Sequence, residues 1–350
     1  MSIGVDEQGR WPLPWLQGAM ASAQSLSQAH AVLAHGPVGV GHLEFALLLA
    51  QRNLCEDTAR PPCGRCASCR LVRNRAHPDL LIVLPDALRA ALGWIADDGG
   101  AEPKSDAKPS KDIRVQQIRQ AIDWARNTSA RGRGKVMVVH SADALNLTAA
   151  NALLKTLEEP PGTLRLVLTS VDPDRLLPTV RSRCQRLAMH LPDAALSLQW
   201  LAEQGVEQPA ELLALAGSSA MQALALAEEG IQADWCRELP GRVAAGDAAL
   251  LRGRPVPRVI ELLSKLAHDA MAVAVGGSPR FYAVGAVPAG ADLAACAAWQ
   301  RSLIRAARHD EHPWQAALLI EALVTEATRV WPARVAATPA RGSASLHSRP

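Results

Sequence analysis

Four cysteines lie close together in the first quarter of the chain, and their spacing suits a metal ion. The stretch CEDTARPPCGRCASC gives the pattern C-x7-C-x2-C-x2-C. Thiolates spaced C-x2-C can converge on one Zn²⁺ ion, which takes four ligands in a closed tetrahedral site when its role is structural. Nearby arginines favour the thiolate form. The sequence therefore predicts a structural zinc module over residues 55–69, with the ligands Cys55, Cys63, Cys66 and Cys69.

Two other chemistries would use cysteines at this spacing. Disulfides are one, but a reducing compartment argues against them. A redox C-x2-C pair is the other, and it would not need four cysteines. His77 follows closely and is predicted to be a surface residue rather than a ligand, while the isolated Cys184, Cys236 and Cys296 are predicted to be buried.

A second stretch, HGPVGVGHL, begins like a phosphate-binding loop and then departs from that pattern. Gly36 and Gly41 have the G-x4-G spacing, with Gly39 between them, but the lysine and hydroxyl positions hold His42 and Leu43. That lysine reaches the β- and γ-phosphates and that hydroxyl ligates Mg²⁺. A neutral imidazole and a leucine replace neither group. The glycines alone are also compatible with a simple tight turn.

The acidic pair that an ATPase needs is missing as well. In KVMVVHSADAL the expected carboxylate positions hold His140 and Ser141, and Asp143 is offset by three residues. Loss of these groups together removes the handling of Mg²⁺ and of the γ-phosphate. We therefore predict no ATP hydrolysis by this chain, while residual nucleotide binding through the loop N–H groups stays open.

Arginines are concentrated in the stretch RLLPTVRSRCQRL. Arg175, Arg181 and Arg183 could form a solvated charge run. However, the sequence Ser182-Arg183-Cys184 falls where a helix meets a strand at the rim of the predicted sheet. A guanidinium there could stabilise γ-phosphate charge in a neighbouring subunit.

The elements that position these residues alternate between strands and helices. Continuous apolar runs begin at residues 31, 80, 135 and 164, as expected for strands covered on both faces. Helical patterns cover 42–54, 115–126 and the stretch from Thr148, which is the predicted N-cap of a helix that Pro160 and Pro161 end. The pattern predicts a parallel α/β sheet up to about residue 190.

The rest of the chain differs in composition. Residues 97–112 are rich in Gly, Pro and Ser and are predicted to be a mobile insertion, and residues 336–350 a disordered tail. A net charge of +3 is too small to indicate nucleic-acid binding by itself. No apolar run is long enough for a membrane helix and the N-terminus lacks signal-peptide features, so the expected location is cytoplasmic, without membrane contact.

Several motifs together resemble one family. HGPVGVG, the four-cysteine insert, NALLKTLEEPP and LLPTVRSRC occur in the order and at the spacing of bacterial clamp-loader proteins. The last two are shared with the ATP-binding gamma/tau subunits, so the altered loop makes the chain most similar to the delta-prime subunits of this AAA+ family. The resemblance is dense from residue 10 to residue 191 and weak over 192–231. Beyond that it depends on helical pattern alone.

This resemblance implies a fold and a function. The fold would be a RecA-like α/β AAA+ domain with a zinc module over 1–191, a small helical lid over 192–231 and an all-α collar domain over 232–335. The chain would be a non-hydrolysing member of a heteropentamer with gamma/tau and delta subunits. This clamp loader places the sliding clamp on primer–template DNA for chromosomal replication, as part of the DNA polymerase III holoenzyme, a nucleotidyltransferase. Arg183, within the S-R-C motif, would act as an arginine finger on a neighbouring ATP site.

Two other functions fit parts of the sequence. A self-sufficient AAA+ ATPase of the gamma/tau type would require lysine and hydroxyl at positions 42 and 43. A zinc-module nucleic-acid-binding protein would be expected to carry a basic stripe with aromatic rings for base stacking. The sequence has neither feature.

Overall fold

A computed structural model describes residues 3–26, 28–94, 109–308 and 315–331. The predicted insertion lies outside these ranges up to residue 108, and the predicted tail lies outside them entirely. The described residues form two compact units. One contains the residues up to Trp200 together with Ser219–Gln222, and the other contains Leu201–Ser218 and the residues from Ala223 onward. The predicted lid and collar boundaries remain predictions.

The first unit contains a five-stranded parallel sheet, so the predicted α/β class is confirmed. Its strand order is β2-β3-β4-β1-β5. The strands are β1 (Ala31–His35), β2 (Leu80–Val83), β3 (Lys135–Val139), β4 (Leu164–Ser170) and β5 (Gln185–Ala188). The apolar runs predicted the first four. The fifth escaped because its sequence, QRLA, contains no continuous apolar run; only Leu187 is buried.

Helices connect and flank these strands. They are α1 (Leu16–Gln24), α2 (His42–Leu54), α3 (Ala67–Arg73), α4 (Asp86–Ala91), α5 (Val115–Arg126), α6 (Leu147–Glu158) and α7 (Pro178–Arg181). The bounds of α2 and α5 agree with the prediction. The predicted cap of α6 was wrong: Asn146, not Thr148, is the N-cap, and its side-chain oxygen accepts a 2.8 Å hydrogen bond from the Ala149 N–H. An N-cap needs a residue just outside the helix, and Thr148 lies inside it.

The sheet is covered on both faces, which explains its continuous apolar strands. Successive strand residues point to opposite faces. Leu33, Met137 and Leu166 belong to the core cluster that includes α5 and α6. Their neighbours along the strands face the other side, where α2 contacts β1, β3 and β4. Almost every residue of α2 is buried, including the polar Gln51.

The described residues after 192 form helices and connecting loops without a strand, as predicted. The helices are α8 (Ala194–Glu203), α9 (Pro209–Leu215), α10 (Ala220–Glu228), α11 (Ala233–Ala244), α12 (Val256–Ala274), α13 (Leu293–Arg308) and α14 (Ala316–Ala327). In the second unit the buried carboxylate of Asp269 accepts hydrogen bonds from the N–H groups of Arg280, Phe281 and Tyr282 and so fixes the segment after α12.

No single helix in the described ranges is long and apolar enough to cross a membrane. One bent pair, Pro209–Leu215 with Ala220–Glu228, meets that criterion by length and composition only.

Candidate functional site

The glycines of the phosphate-type loop are in close contact with other segments of the first unit. The loop joins β1 to α2 at the carboxyl ends of the strands, where open parallel sheets bind ligands. A methyl group added at Gly36 would lie 2.3 Å from the Met189 carbonyl oxygen, and one at Gly39 would lie 2.0 Å from Ser219 Oγ. Both distances are far below van der Waals contact. These two positions therefore require glycine whether or not a phosphate binds.

The N-terminal segment closes the helix end of the loop. Gly41 is the N-cap of α2 with φ +91°, a conformation that glycine adopts readily. A methyl group there would lie 2.4 Å from Leu13 Cδ1. The indole N–H of Trp15 donates a 2.9 Å hydrogen bond to the carbonyl oxygen of Val40. The loop is thus held by side chains from before β1.

His42, at the position of the missing lysine, is a buried imidazole. Its side chain is 7% exposed, and Nε2 makes no hydrogen bond with any described residue. Burial lowers the pKa of His42 to about 4, and the carboxylate of Asp143 opposes only part of this shift. Near neutral pH the ring is therefore uncharged and cannot supply the fixed positive charge of a lysine. Leu43, at the hydroxyl position, is buried in α2.

The end of β3 is linked to β4 by hydrogen bonds. His140 Nδ1 lies 2.7 Å from Thr169 Oγ1, which also accepts a 3.1 Å hydrogen bond from the Ser141 N–H. Burial and the nearby His42 lower the pKa of His140 to about 4. Asp143 lies in the turn after Ser141, and its Oδ1 is buried without a partner among the described residues. The sequence placed His42 and His140 in separate motifs but did not predict that they lie close enough for the charge of one to affect the other.

Arg183 lies at the opposite edge of the sheet. It precedes the first residue of β5, whereas the phosphate-type loop follows the last residue of β1, and these strands are parallel neighbours. Its Nε donates a 2.7 Å hydrogen bond to Glu158 Oε1, its Nη2 contacts the same oxygen, and its Nη1 donates to the Thr179 carbonyl oxygen at 2.9 Å. The Arg183 side chain is 34% exposed. Glu158 belongs to the quoted NALLKTLEEPP motif, but no spacing rule connects it to Arg183.

The neighbours of Arg183 in the S-R-C motif differ in environment. Ser182 is exposed and its hydroxyl donates a 3.2 Å hydrogen bond to the Thr179 carbonyl oxygen. Cys184 is buried in the core cluster, and burial raises its pKa to about 12, so it remains a neutral thiol. A buried cysteine directly after Arg183 fixes the backbone while the guanidinium reaches the surface.

The other two arginines of this stretch have different partners. Arg181 forms an ion pair with Asp174. Arg175 is exposed. The three side chains therefore do not form one common charged face, although the sequence alone could not separate them.

The four predicted metal ligands come together. All four Sγ atoms lie within 4.8 Å of one another; Cys55 and Cys66 are 4.0 Å apart and Cys63 and Cys69 are 3.9 Å apart. A tetrahedral ion with sulfur ligands at about 2.3 Å needs sulfur–sulfur distances of about 3.8 Å. The cluster therefore fits Zn²⁺ and could hold it.

Backbone N–H groups around the cluster stabilise thiolate sulfurs. The N–H groups of Cys63, Cys66 and Cys69 each donate a 3.4 Å hydrogen bond to a cysteine sulfur. Burial would raise the pKa of Cys63, but the N–H groups of Cys66 and Arg65 lower it to about 7 overall.

Gly64 allows the cluster to approach the N-terminal segment. It has φ +71°, and a methyl group there would lie 1.9 Å from the Asp6 carbonyl oxygen. The prediction that His77 is a surface residue was wrong. Its ring is buried, with Nε2 3.2 Å from Ser68 Oγ and Nδ1 accepting a hydrogen bond from the Asp79 N–H. It fixes the segment after α3 rather than joining the metal ligands.

The parallel sheet and the sequence comparisons place the chain in the AAA+ clamp-loader class. The family model described as DNA polymerase III, delta subunit matches residues 16–193. A DNA polymerase III subunit delta' from Pseudomonas aeruginosa is 38% identical over 68% of this chain and 67% of its own length. The corresponding Escherichia coli subunit is 31% identical over 75% of this chain and 76% of its own length. The chain therefore belongs to the family of DNA polymerase III subunit delta'.

Related subunits also match. The DNA polymerase III subunit tau of Escherichia coli is 32% identical over 65% of this chain and 32% of its own length. Among solved structures, a gamma subunit-related protein from Thermotoga maritima has 16% identity and a TM-score of 0.45, covering 89% of this chain and 99% of that one.

Replacing Cys63 and Cys66 with serine should release the metal and lower the melting temperature, because two of four thiolates are lost. Metal analysis of the purified protein should find about one zinc per chain, and the double variant should lose it. Cys296→Ser, a buried cysteine in the second unit, should keep its zinc and so separates metal loss from general destabilisation. Absence of zinc combined with normal melting of the double variant would contradict the assignment.

Acid should destabilise the first unit through the buried imidazoles of His42 and His140. Their folded pKa of about 4 lies below the unfolded value of 6.5. The unfolded chain therefore binds more protons between these values, and stability, full above pH 6.5, falls as the pH drops toward 4. The slope is at most about 1.4 kcal/mol per pH unit for each histidine.

His42→Gln should flatten this decline, and the exposed His190→Gln should not. Melting temperatures measured from about pH 7 to about pH 4.5 would check it. An unchanged decline in His42→Gln would mean that His42 does not contribute to it.

Proposed function

We propose that this chain is the non-hydrolysing subunit of a clamp loader, which places the sliding clamp on primed DNA within the DNA polymerase III holoenzyme. The observation that carries the proposal is the separation of two features across one sheet. The phosphate-type loop at one edge packs against the chain itself, and Arg183 is presented at the other edge.

The loop edge lacks the groups that hydrolysis uses. Phosphoryl transfer requires a cation on the β- and γ-phosphates, a Mg²⁺ ligand and an oriented water. Here the equivalent positions hold an uncharged His42, a buried Leu43, and His140 and Ser141 bonded to Thr169. Burying a triphosphate beside neutral imidazoles would leave its charge uncompensated. This disfavours the gamma/tau type of function, despite the similarity to tau.

Arg183 cannot serve the chain's own loop. The five residues of β1 separate the two edges, which at about 3.3 Å per residue is about 16 Å. A guanidinium at the starting edge of β5 is instead available to a subunit that docks there. Its present partner, Glu158, is about half exposed, and exposed ion pairs stabilise little. Exchange of Glu158 for a γ-phosphate would therefore cost little, and the phosphate accepts the same bidentate fork.

The remaining parts of the proposal concern assembly. Gamma/tau and delta subunits would be the partners in a heteropentamer, with the helices of 232–335 as the collar and those of 192–231 as the lid. The four-cysteine cluster would hold zinc for stability, because a closed four-thiolate site leaves no open position for catalysis.

The purified chain should show no ATP hydrolysis above background, because the loop offers neither ammonium nor Mg²⁺ ligand. Phosphate release measured with and without Gly41→Val checks this, since a larger residue at that position would block any loop-dependent turnover. Steady hydrolysis that Gly41→Val abolishes would overturn the non-hydrolysing role.

Arg183→Ala should leave the chain folded and able to assemble with gamma/tau and delta, but hydrolysis at the neighbouring site should slow. An essential finger contributes on the order of 10³–10⁵ in rate, and total turnover of the complex should fall less, because other interfaces would keep their own fingers. Arg183→Lys should rescue only in part, since ammonium lacks the planar fork.

Arg175→Ala and Arg181→Ala are the matched controls. Assembly mass and clamp-stimulated ATPase are measured for all variants. Equal, small effects of the three alanine changes would show that the arginines only solvate this region.

A further inference from the structure

A basic groove lies in the first unit where β3 and β4 begin. It has a volume of about 420 Å³ and is lined by Arg52 from the last turn of α2, Arg133 from the loop before β3, and Arg165 from β4, with Asn53 and Thr163 beside them. No Asp or Glu is among its lining residues. We call Arg52, Arg133 and Arg165 the arginine groove. Three guanidiniums around one opening create a strongly positive local field.

The like charges of the arginine groove lie close enough to affect one another. Burial and the charge of Arg52 both lower the pKa of Arg165. Within the described part of the chain, the Arg52 and Arg133 side chains form no ion pair or hydrogen bond. Like charges this close repel one another, and an anion bound between them would relieve the repulsion.

The loop that carries Arg133 is held in place by a buried carboxylate. Asp79 is 1% exposed and accepts hydrogen bonds from the N–H groups of Ala130 and Arg131 at 2.8 and 2.9 Å and from the Ser129 hydroxyl at 3.0 Å. Burial alone would raise the pKa of Asp79, but these donors lower it overall. The groove is therefore formed before any ligand binds, which reduces the entropy cost of binding.

We propose that the arginine groove binds phosphate groups of a nucleic-acid backbone. Guanidinium forks match the geometry of phosphate oxygens. Several guanidiniums with no acidic side chain among the lining residues suit a polyanion better than a ligand with one carboxylate. No aromatic ring lines the groove, so bases are not stacked and the contact is independent of sequence. Membership of a DNA polymerase subunit family makes DNA the source of these phosphates.

This site is separate from both features of the proposed function. It lies at the starting ends of the strands, away from the phosphate-type loop. Arg183 precedes β5, which is two strands from β4 in the sheet order, or about 10 Å at the usual strand spacing.

The test uses the isolated full chain and a fluorescent primer–template DNA, with anisotropy measured at several NaCl concentrations. Arg133→Glu and Arg52→Glu should each weaken binding about tenfold and make the dependence of log K on log[salt] shallower by about one. Arg133 is in an exposed loop, so its variant should melt normally. Arg175→Glu, an exposed arginine at the opposite edge, is the matched control and should change neither quantity.

Unchanged DNA binding in both groove variants would overturn the proposal. So would an equal loss in Arg175→Glu, which would indicate general charge attraction. Displacement of the DNA by polyglutamate at equal charge concentration would assign the groove to an acidic protein instead. Assembly with gamma/tau, measured in parallel, reports on the proposed function independently.

Discussion

The close approach of the chain to its own phosphate-type loop is the constraint on which the rest of the first unit depends. At Gly36 and Gly39 a single added carbon would overlap atoms of Met189 and Ser219. The glycines therefore fix the turn from β1 into α2, and α2, buried along nearly its whole length, covers one face of the sheet. The phosphate-type loop therefore serves packing here, because a turn that would suit a phosphate also lets two backbone segments approach closely.

The two ends of the parallel strands differ in the side chains that lie there. At the carboxyl ends of the strands, imidazoles and hydroxyls bond to one another and remain neutral. At the starting ends, guanidiniums gather: Arg183 before β5, and Arg133 and Arg165 at β3 and β4. In the proposed function, this arrangement would let Arg183 act on a phosphate held by another subunit.

Local sequence patterns predicted the features that depend on residues close together in the chain. Continuous apolar runs identified β1, β3 and β4, which are buried on both faces, and also the half-buried β2. The cysteine spacing identified the four-cysteine cluster. The pattern could not find contacts between distant segments. Ser219 is 180 residues from Gly39, and Glu158 meets Arg183 only after α6 and β5 are placed. His77 was misjudged although its partners, Ser68 and Asp79, lie only nine and two residues away, because no spacing pattern marks these contacts.

Side-chain contacts also link the four-cysteine cluster to the loop that carries Arg133. The strength of these contacts decides how much the groove depends on the cluster. Arg131 bonds to Glu56 and donates to Ser68 Oγ at 3.0 Å, which joins the loop of Arg133 to the cluster. That ion pair is partly exposed, and such pairs contribute less than about 1 kcal/mol. Asp79, by contrast, is buried and accepts three hydrogen bonds from the same loop, and bonds to a charged acceptor contribute about 1.5–3 kcal/mol each. The groove therefore depends chiefly on Asp79, and loss of the metal would weaken the first unit while leaving the groove largely formed.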